Sequence, residues 1–206
     1  MVRKGFTLIE LLIVIGIIAI LAAAVVLTLN PAELLRQSRD STRISDLATL
    51  KSALALYLAD VTSPNLGNNL NCYVHDGLAT ENCAPRFGAV PIGATTVIDP
   101  DRLVDSNGWI PVNFESISSG SPLPNLPVDP VNDLTYFYAY RPGNTATTPG
   151  ACSGSGSGGC TVYELSADLE STKFANDTID TDSVEENDGG NNVDLYEVGT
   201  RAALNL

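Results

Sequence analysis

The sequence is poor in residues that support catalysis or zinc binding. His75 is the one histidine among 206 residues, and none of the four cysteines stands in a C-x-x-C pair. A zinc site therefore lacks suitable ligands. No suitable nucleophile lies near His75 in the sequence. We accordingly expect that the protein is not an enzyme and that it needs no cofactor for a reaction.

Positive charge is scarce as well. The chain has 11 Lys and Arg residues against 24 Asp and Glu residues, which gives a formal net charge of −13. No basic stripe exists beyond the first few residues. A face that neutralises phosphates is the usual basis of nucleic-acid binding, so direct binding of nucleic acid is not expected. The acidic excess predicts a solvated surface.

The cysteines form two close pairs in the sequence, Cys72 with Cys83 and Cys152 with Cys160. An even number, short loops and a membrane segment favour disulfides on the oxidising side of a membrane. This local pairing is one of three connectivities, and four reduced thiols are the alternative. Each bridge would contribute about 2–3 kcal/mol by constraining the unfolded chain.

Charge and polarity are missing from a long N-terminal run. No residue in 11–27 has a polar side chain. As a helix, residues 6–29 would be about 36 Å long, enough to cross a hydrocarbon core of about 30 Å. Arg3 and Lys4 precede this run and no basic residue follows it until Arg36. The positive-inside rule therefore places the N-terminus in the cytoplasm.

Glu10 is the exception at the head of the apolar run. A carboxylate inside a membrane helix costs about 2.5–3.5 kcal/mol on insertion scales, so it usually has a partner. A secretory signal peptide cut after residues 22–24 (Ala-Ala-Ala) would have a shorter apolar region and tolerates an early glutamate poorly. A plain membrane anchor fits the length but gives Glu10 no role.

The contiguous stretch RKGFTLIELL, residues 3–12, resembles the leader of type IV prepilins and type II secretion pseudopilins. The resemblance implies that a prepilin peptidase cuts after Gly5 on the cytoplasmic side. It also implies that Phe6, the new N-terminal residue, is then N-methylated.

The same resemblance supplies a partner for Glu10, namely the α-amine of Phe6 on an adjacent subunit. Two charges in lipid are each costly, whereas a pair neutralises both. The implied partners are prepilin peptidase, identical or related pilin subunits in a helical filament, and an inner-membrane assembly platform. The alternative is that Glu10 only extends to the lipid headgroups.

A second helical half follows the apolar run. Asn30, Pro31 and Glu33 are typical of a helix start, so we expect a kink or a melted turn near residues 28–31 and a helix that continues to Asp60. Apolar residues recur with 3,4,3,4 spacing and predict a face that packs on a sheet. These residues are Leu47, Leu50, Leu54, Tyr57 and Val61. Charged residues mark the wetter sides, namely Arg39, Asp40, Arg43, Asp46 and Lys51.

The remainder is predicted as a soluble head. Residues 62–107 are expected to form a connecting loop with one short helix, held by a Cys72–Cys83 bridge. Strands are predicted at 108–114, an edge strand because it contains Pro111, at 134–141 and at 161–167. The Gly/Ser-rich tip between the last two is expected to be a hairpin that a Cys152–Cys160 bridge clamps.

The stretch LPVDPVN, residues 126–132, with Tyr136 and Tyr138 after it, also resembles pilins and pseudopilins. There it enters the sheet, and Asp129 is expected to accept local backbone N–H groups. The expected fold class is α+β: a long N-terminal helix, half transmembrane and half amphipathic, packed on a small antiparallel sheet.

An acidic stretch, residues 176–194, contains candidate ligands for a hard cation, among them Asp182, Asp188 and Asp194. Major pseudopilins have a calcium-stabilised loop after their last strands, and the resemblance therefore suggests calcium. A solvated acidic loop is the alternative.

Five segments are expected. They are the leader 1–5, the transmembrane and filament-core helix 6–29, the amphipathic half 30–61, the loop 62–107, and the sheet with its acidic loop 108–206. The resemblance implies a pilin of a type IV pilus-like filament, inserted once in the membrane before assembly and lying at the cell surface or in the periplasm afterwards. A type II secretion pseudopilin and a membrane-anchored binding domain that does not polymerise are the alternatives.

Overall fold

Two consecutive helices form the N-terminal part of the protein. The computed structural model describes residues 5–75, 83, 86–87, 95–143, 152, 159–175 and 183–200. Helix α1 spans Leu8–Leu29 and helix α2 spans Pro31–Asp60. Between them Asn30 has a left-handed backbone with φ of 39° and makes no side-chain cap bond. The predicted break near residues 28–31 and the predicted helix end at Asp60 are therefore confirmed.

A five-stranded sheet forms the head, in the order β2-β1-β3-β4-β5. The strands are β1 (Asn71–His75), β2 (Thr95–Asp99), β3 (Ala139–Gly143), β4 (Val162–Ala167) and β5 (Tyr196–Gly199). All neighbouring pairs are antiparallel except β1 with β2, which is parallel. A short helix α3 (Val184–Asn187) precedes β5. A long helical segment with a mostly antiparallel sheet confirms the α+β, pilin-like layout.

The core lies between α2 and one face of the sheet. Leu47, Leu50, Leu54 and Tyr57 of α2 are buried as their spacing predicted. They share one apolar cluster with sheet residues such as Tyr140. Full burial of one such side chain stabilises the fold by about 1.5–3 kcal/mol. Because this cluster begins at Leu47, apolar packing holds only the second half of α2 to the head.

The loop prediction for residues 62–107 is wrong, because this region supplies both β1 and β2. The two strands are short and pair in parallel across more than twenty residues, from Asn71 with Thr95 to His75 with Asp99. Local patterning carries little information on such a pairing. Strand β5 was also not predicted.

The strand predicted at residues 108–114 is absent. Trp109 and Ile110 are adjacent and both buried, so the alternation of a half-buried strand does not exist here. Pro111 moreover lacks an N–H donor. The strand predicted at 134–141 starts five residues before the observed strand β3, which begins at Ala139. The prediction at 161–167 is confirmed by β4.

The wetter sides of α2 were assigned incorrectly at two positions. Asp40 and Arg43 are both fully buried. Aspartate and arginine are almost never fully buried without a partner. Their partners lie in the head and are described below.

The exposed side of α2 includes several small residues with hydroxyl groups. Ser41 and Thr42 donate to the carbonyl oxygens of Gln37 and Ser38, four residues earlier, at 2.8 and 3.1 Å. Thr49 and Ser52 do the same about two and three turns further on. These hydroxyl groups therefore find their hydrogen-bond partners within the helix itself.

Candidate assembly site

The bond between Gly5 and Phe6 lies in exposed backbone ahead of the first helix. A Cβ added at Gly5 would meet no other atom within 4 Å. Phe6 is 81% exposed. The described fold therefore gives no steric reason for glycine at this position, and the bond is exposed.

Glu10 closes a capping box at the N-terminus of α1. Its Oε2 accepts the Thr7 backbone N–H at 2.9 Å and the Thr7 hydroxyl at 2.7 Å. In return the Glu10 backbone N–H donates to Thr7 Oγ1 at 3.3 Å. This reciprocal arrangement satisfies donors that a helix start leaves without partners. A negative charge is also favourable at this end of the helix dipole.

Beyond Glu10, residues 11–25 of α1 are apolar and uncovered. One 18-residue window, Leu8–Val25, has a mean hydropathy of 3.0, and none of it is buried. By length and composition this helix is able to cross a membrane. Apolar area left in water costs about 25 cal/mol per Å². The helix consequently needs a cover that the described part of the chain does not supply, either lipid or other chains.

A buried arginine joins α2 to two segments of the head. Arg43 Nε and Nη2 donate to the two carboxylate oxygens of Asp129 at 2.7 and 3.0 Å. Its Nη1 lies 2.7 Å from Asp40 Oδ1 and 2.7 Å from Glu170 Oε1. The ring of Tyr136 lies 4.9 Å from the guanidinium carbon. We call Arg43, Asp40, Asp129 and Glu170 the Arg43 cluster.

Backbone groups complete the Arg43 cluster. Asp40 accepts the N–H groups of Glu170 and Ser171, and Asp129 accepts those of Val131 and Asn132. The local backbone bonds predicted for Asp129 are therefore confirmed. Buried carboxylates with several donors are far less costly than isolated ones.

The charges of the Arg43 cluster shift several pKa values. Burial lowers the pKa of Arg43, but hydrogen bonds to Asp129, Glu170 and Asp40 outweigh burial and raise it. The hydrogen bond from Arg39 lowers the pKa of Glu170. Both shifts favour the charged forms of Arg43 and Glu170.

Two further contacts extend the junction toward the start of α2. Arg39 Nε and Nη2 donate a bidentate pair of hydrogen bonds to the two carboxylate oxygens of Glu170. Glu33 accepts the Thr172 backbone N–H at 2.9 Å. The first half of α2 is therefore held to the head by polar contacts, whereas the second half is held by the apolar core.

Both expected disulfides are present, Cys72–Cys83 and Cys152–Cys160. The second lies within the main core, and the Cys152 N–H donates to the side-chain oxygen of Asn69 at 2.9 Å. The first lies in a smaller cluster on the other face of the sheet. The tip between Cys152 and Cys160 lies mostly outside the described residues.

The candidate calcium ligands are not gathered into a site by the part of the chain that the structure describes. Asp188 accepts the N–H groups of Gly190 and Glu197, and Asp194 is exposed. No group of three or more His, Cys, Asp or Glu residues suited to a metal occurs within 5–75, 83, 86–87, 95–143, 152, 159–175 and 183–200. Asp182 lies outside these ranges. Calcium binding stays a prediction.

The structure brings Gly5, Phe6 and Glu10 together at one end of α1, far along the chain from the other candidate residues. Sequence reasoning missed Thr7 and Arg43. The spacing of Thr7 and Glu10, S/T-x-x-E before an apolar run, is a capping-box signal that would have identified the first. Nothing local distinguishes Arg43 from an exposed arginine.

Comparison with known proteins agrees with this N-terminal arrangement. A family model described as "Prokaryotic N-terminal methylation motif" matches residues 1–26. No curated protein and no solved structure matches the chain. The match covers the leader and most of α1, and it does not extend to the head.

Proposed function

Since residues 1–26 carry the prepilin-type signal of type IV pilins and pseudopilins, we propose that the chain is a structural subunit of a type IV pilus-like filament. The signal implies cleavage by prepilin peptidase and pilin-type assembly. In this proposal the protein is a building block and the substrate of a processing enzyme, and it catalyses no reaction itself.

The uncovered apolar helix is the observation that carries the proposal. None of Leu8–Val25 is buried within the subunit, and the head holds only α2. Lipid covers this helix before assembly, with the N-terminus in the cytoplasm and the head outside. Neighbouring subunits cover it afterwards, in an open helical arrangement of head-to-tail contacts.

Glu10 and the terminal amine of Phe6 set the axial register of the helices in the proposed filament. Apolar helices contact each other through dispersion and shape, which fix register weakly. Cleavage after Gly5 creates one cationic amine for each carboxylate. A charge pair between adjacent subunits neutralises both groups in an apolar layer and favours one register.

Mass spectrometry of the purified subunit tests the processing step. We expect a chain that begins at N-methylated Phe6, and no cleavage in a Gly5→Val variant. Gly16→Val is the matched control, because a Cβ there also meets no atom within 4 Å and the residue lies deep in α1. An N-terminus at Met1, or one created by cleavage after Ala24, would overturn the proposal.

A type II secretion pseudopilin is the second candidate, and the LPVDPVN stretch that packs Asp129 against Arg43 favours it. Electron microscopy of material sheared from cells separates the candidates. A pilus gives long filaments at natural expression, whereas a pseudopilus gives them only on overexpression. A membrane-anchored domain that does not polymerise gives none at either level.

A further inference from the structure

A short segment of the head, residues 170–172, crosses the first half of α2, and we call it the strap. The backbone N–H groups of Glu170 and Ser171 donate to the two carboxylate oxygens of Asp40 at 3.0 and 2.8 Å. The N–H of Thr172 donates to Glu33 at 2.9 Å. All three N–H groups of the strap are therefore bound by carboxylates of the helix.

The contact between the strap and α2 is polar. Among the described residues, neither apolar cluster includes a residue of the strap. The two buried residues in the first half of α2 are Asp40 and Arg43, and the main core begins at Leu47. Opening a polar contact returns its groups to water, whereas opening an apolar contact exposes surface that water disfavours. The strap can therefore leave α2 at a lower cost than the core can open.

Opening of the strap leaves the buried charges of α2 paired. Asp40 keeps Arg43 Nη1 at 2.7 Å, and Arg43 keeps both carboxylate oxygens of Asp129. Glu170 leaves with the strap and loses Arg39, whose side chain is already 34% exposed to water. A buried charge without a partner would make opening expensive, and Asp40 and Arg43 are spared that cost.

The closed strap also contains a hydroxyl group that favours opening. Ser171 is fully buried, and within the described part of the chain its Oγ has no hydrogen-bond partner. A buried polar atom without a partner loses the hydrogen bonds that water would supply. Water restores those bonds when the strap opens, so the hydroxyl reduces the preference for the closed form.

We propose that the strap opens from α2 as one unit while the core stays folded, and that the Arg43–Asp129 pair then holds the first half of the helix to the head as a pivot. Opening allows the helix next to the break at Asn30 to tilt or unwind without loss of the sheet. The proposal concerns contacts within one subunit and holds whether or not the protein forms filaments.

Amide hydrogen exchange of the full chain in detergent, measured at several low urea concentrations, tests the opening. We expect the three strap amides to share one protection factor, at least about tenfold below that of strand β4, because they open without the core. Their exchange should depend little on urea, since opening exposes little surface. Protection equal to that of β4, with the same dependence on urea, would overturn the proposal, because the strap would then open only when the whole protein unfolds.

Two substitutions should change the protection of the strap amides in opposite directions. Ser171→Ala removes the hydroxyl that lacks a partner and should raise the protection about fivefold or more. Glu33→Gln keeps an acceptor oxygen without its charge and should lower the protection about fivefold at all three amides, including the two bonded to Asp40. Glu115→Gln, at an exposed carboxylate outside the strap, is the matched control and should change none of them.

The variants give two further results that would refute the proposal. Unchanged or lower protection in Ser171→Ala would contradict the role of the hydroxyl. A change confined to the amide of Thr172 in Glu33→Gln would show that the three bonds open separately and that the strap is not one unit.

Discussion

Replacing Arg43 by methionine is the sharpest test of how the head is attached to α2. Methionine keeps a long unbranched side chain and removes the charge. The substitution would leave Asp40 and Asp129, both with fully buried side chains, without their cation. Glu170 would keep Arg39.

The magnitude follows from the burial of the Arg43 cluster. Removing one partner from a buried ion pair costs about 3–5 kcal/mol, because the remaining charge is left in a poorly polarisable site. Backbone N–H groups still donate to Asp40 and Asp129, so we expect about 3 kcal/mol, the lower end of that range. The total free energy of unfolding of a domain of this size is about 5–15 kcal/mol.

Arg36→Met is the matched control on the same helix. Arg36 Nη1 lies 3.9 Å from Glu33 and the arginine side chain is 51% exposed. Exposed pairs of this kind contribute at most about 1 kcal/mol. The double variant Arg43→Met with Asp129→Asn should recover part of the loss, because it removes the uncompensated charge as well as the cation.

Chemical unfolding of the full chain in detergent provides the assay. The single tryptophan, Trp109, is buried and its Nε1 donates to the Pro127 carbonyl oxygen at 3.1 Å, two residues from Asp129. Its fluorescence therefore reports on the loop that Arg43 holds. A loss below 1 kcal/mol for Arg43→Met, no larger than that for Arg36→Met, would refute this account of the junction.

Three further outcomes are expected. Replacing Cys152 and Cys160 by alanine should lower the free energy of unfolding by about 2–5 kcal/mol. The loss should exceed that for the Cys72–Cys83 bridge, because only the Cys152–Cys160 disulfide lies in the main core. Equal losses in the unfolding curves of the two variants would contradict this expectation. Burial raises the pKa of Asp188 to about 6 in the folded protein, so the folded state binds more protons than the unfolded state between pH 4 and 6. Stability should therefore rise as the pH falls from 7 to 5, and Asp188→Asn should flatten the dependence of the unfolding midpoint on pH. Calcium should raise the melting temperature of the wild-type protein, and the rise should be smaller in the Asp194→Ala variant. A wild-type melting temperature that does not change with calcium would exclude the site.

The local patterns of the sequence were sufficient for helices α1 and α2 and for strand β4. Leu47, Leu50 and Leu54 follow the helical period because one face of α2 is buried. Strand β4 was recognisable from its alternation and its aromatic and β-branched residues. Each of these signals arises from neighbours along the chain.

The remaining features depend on contacts between distant segments. Strands β1 and β2 are short, and their pairing becomes evident only when the chain between them is folded back. Arg43 and Asp129 lie 86 positions apart in the chain, and an arginine on a polar stretch of helix has no local sign of burial. The head junction therefore could not be predicted, although its acidic member stood in a recognisable motif.

The hydroxyl groups on the outer side of α2 have a consequence for any change of surroundings. Ser41, Thr42, Thr49 and Ser52 already donate to carbonyl oxygens of their own helix. Removal of water would leave none of these four hydroxyl donors without a partner. These four residues of α2 can move from an aqueous to a dry environment without losing their hydrogen bonds.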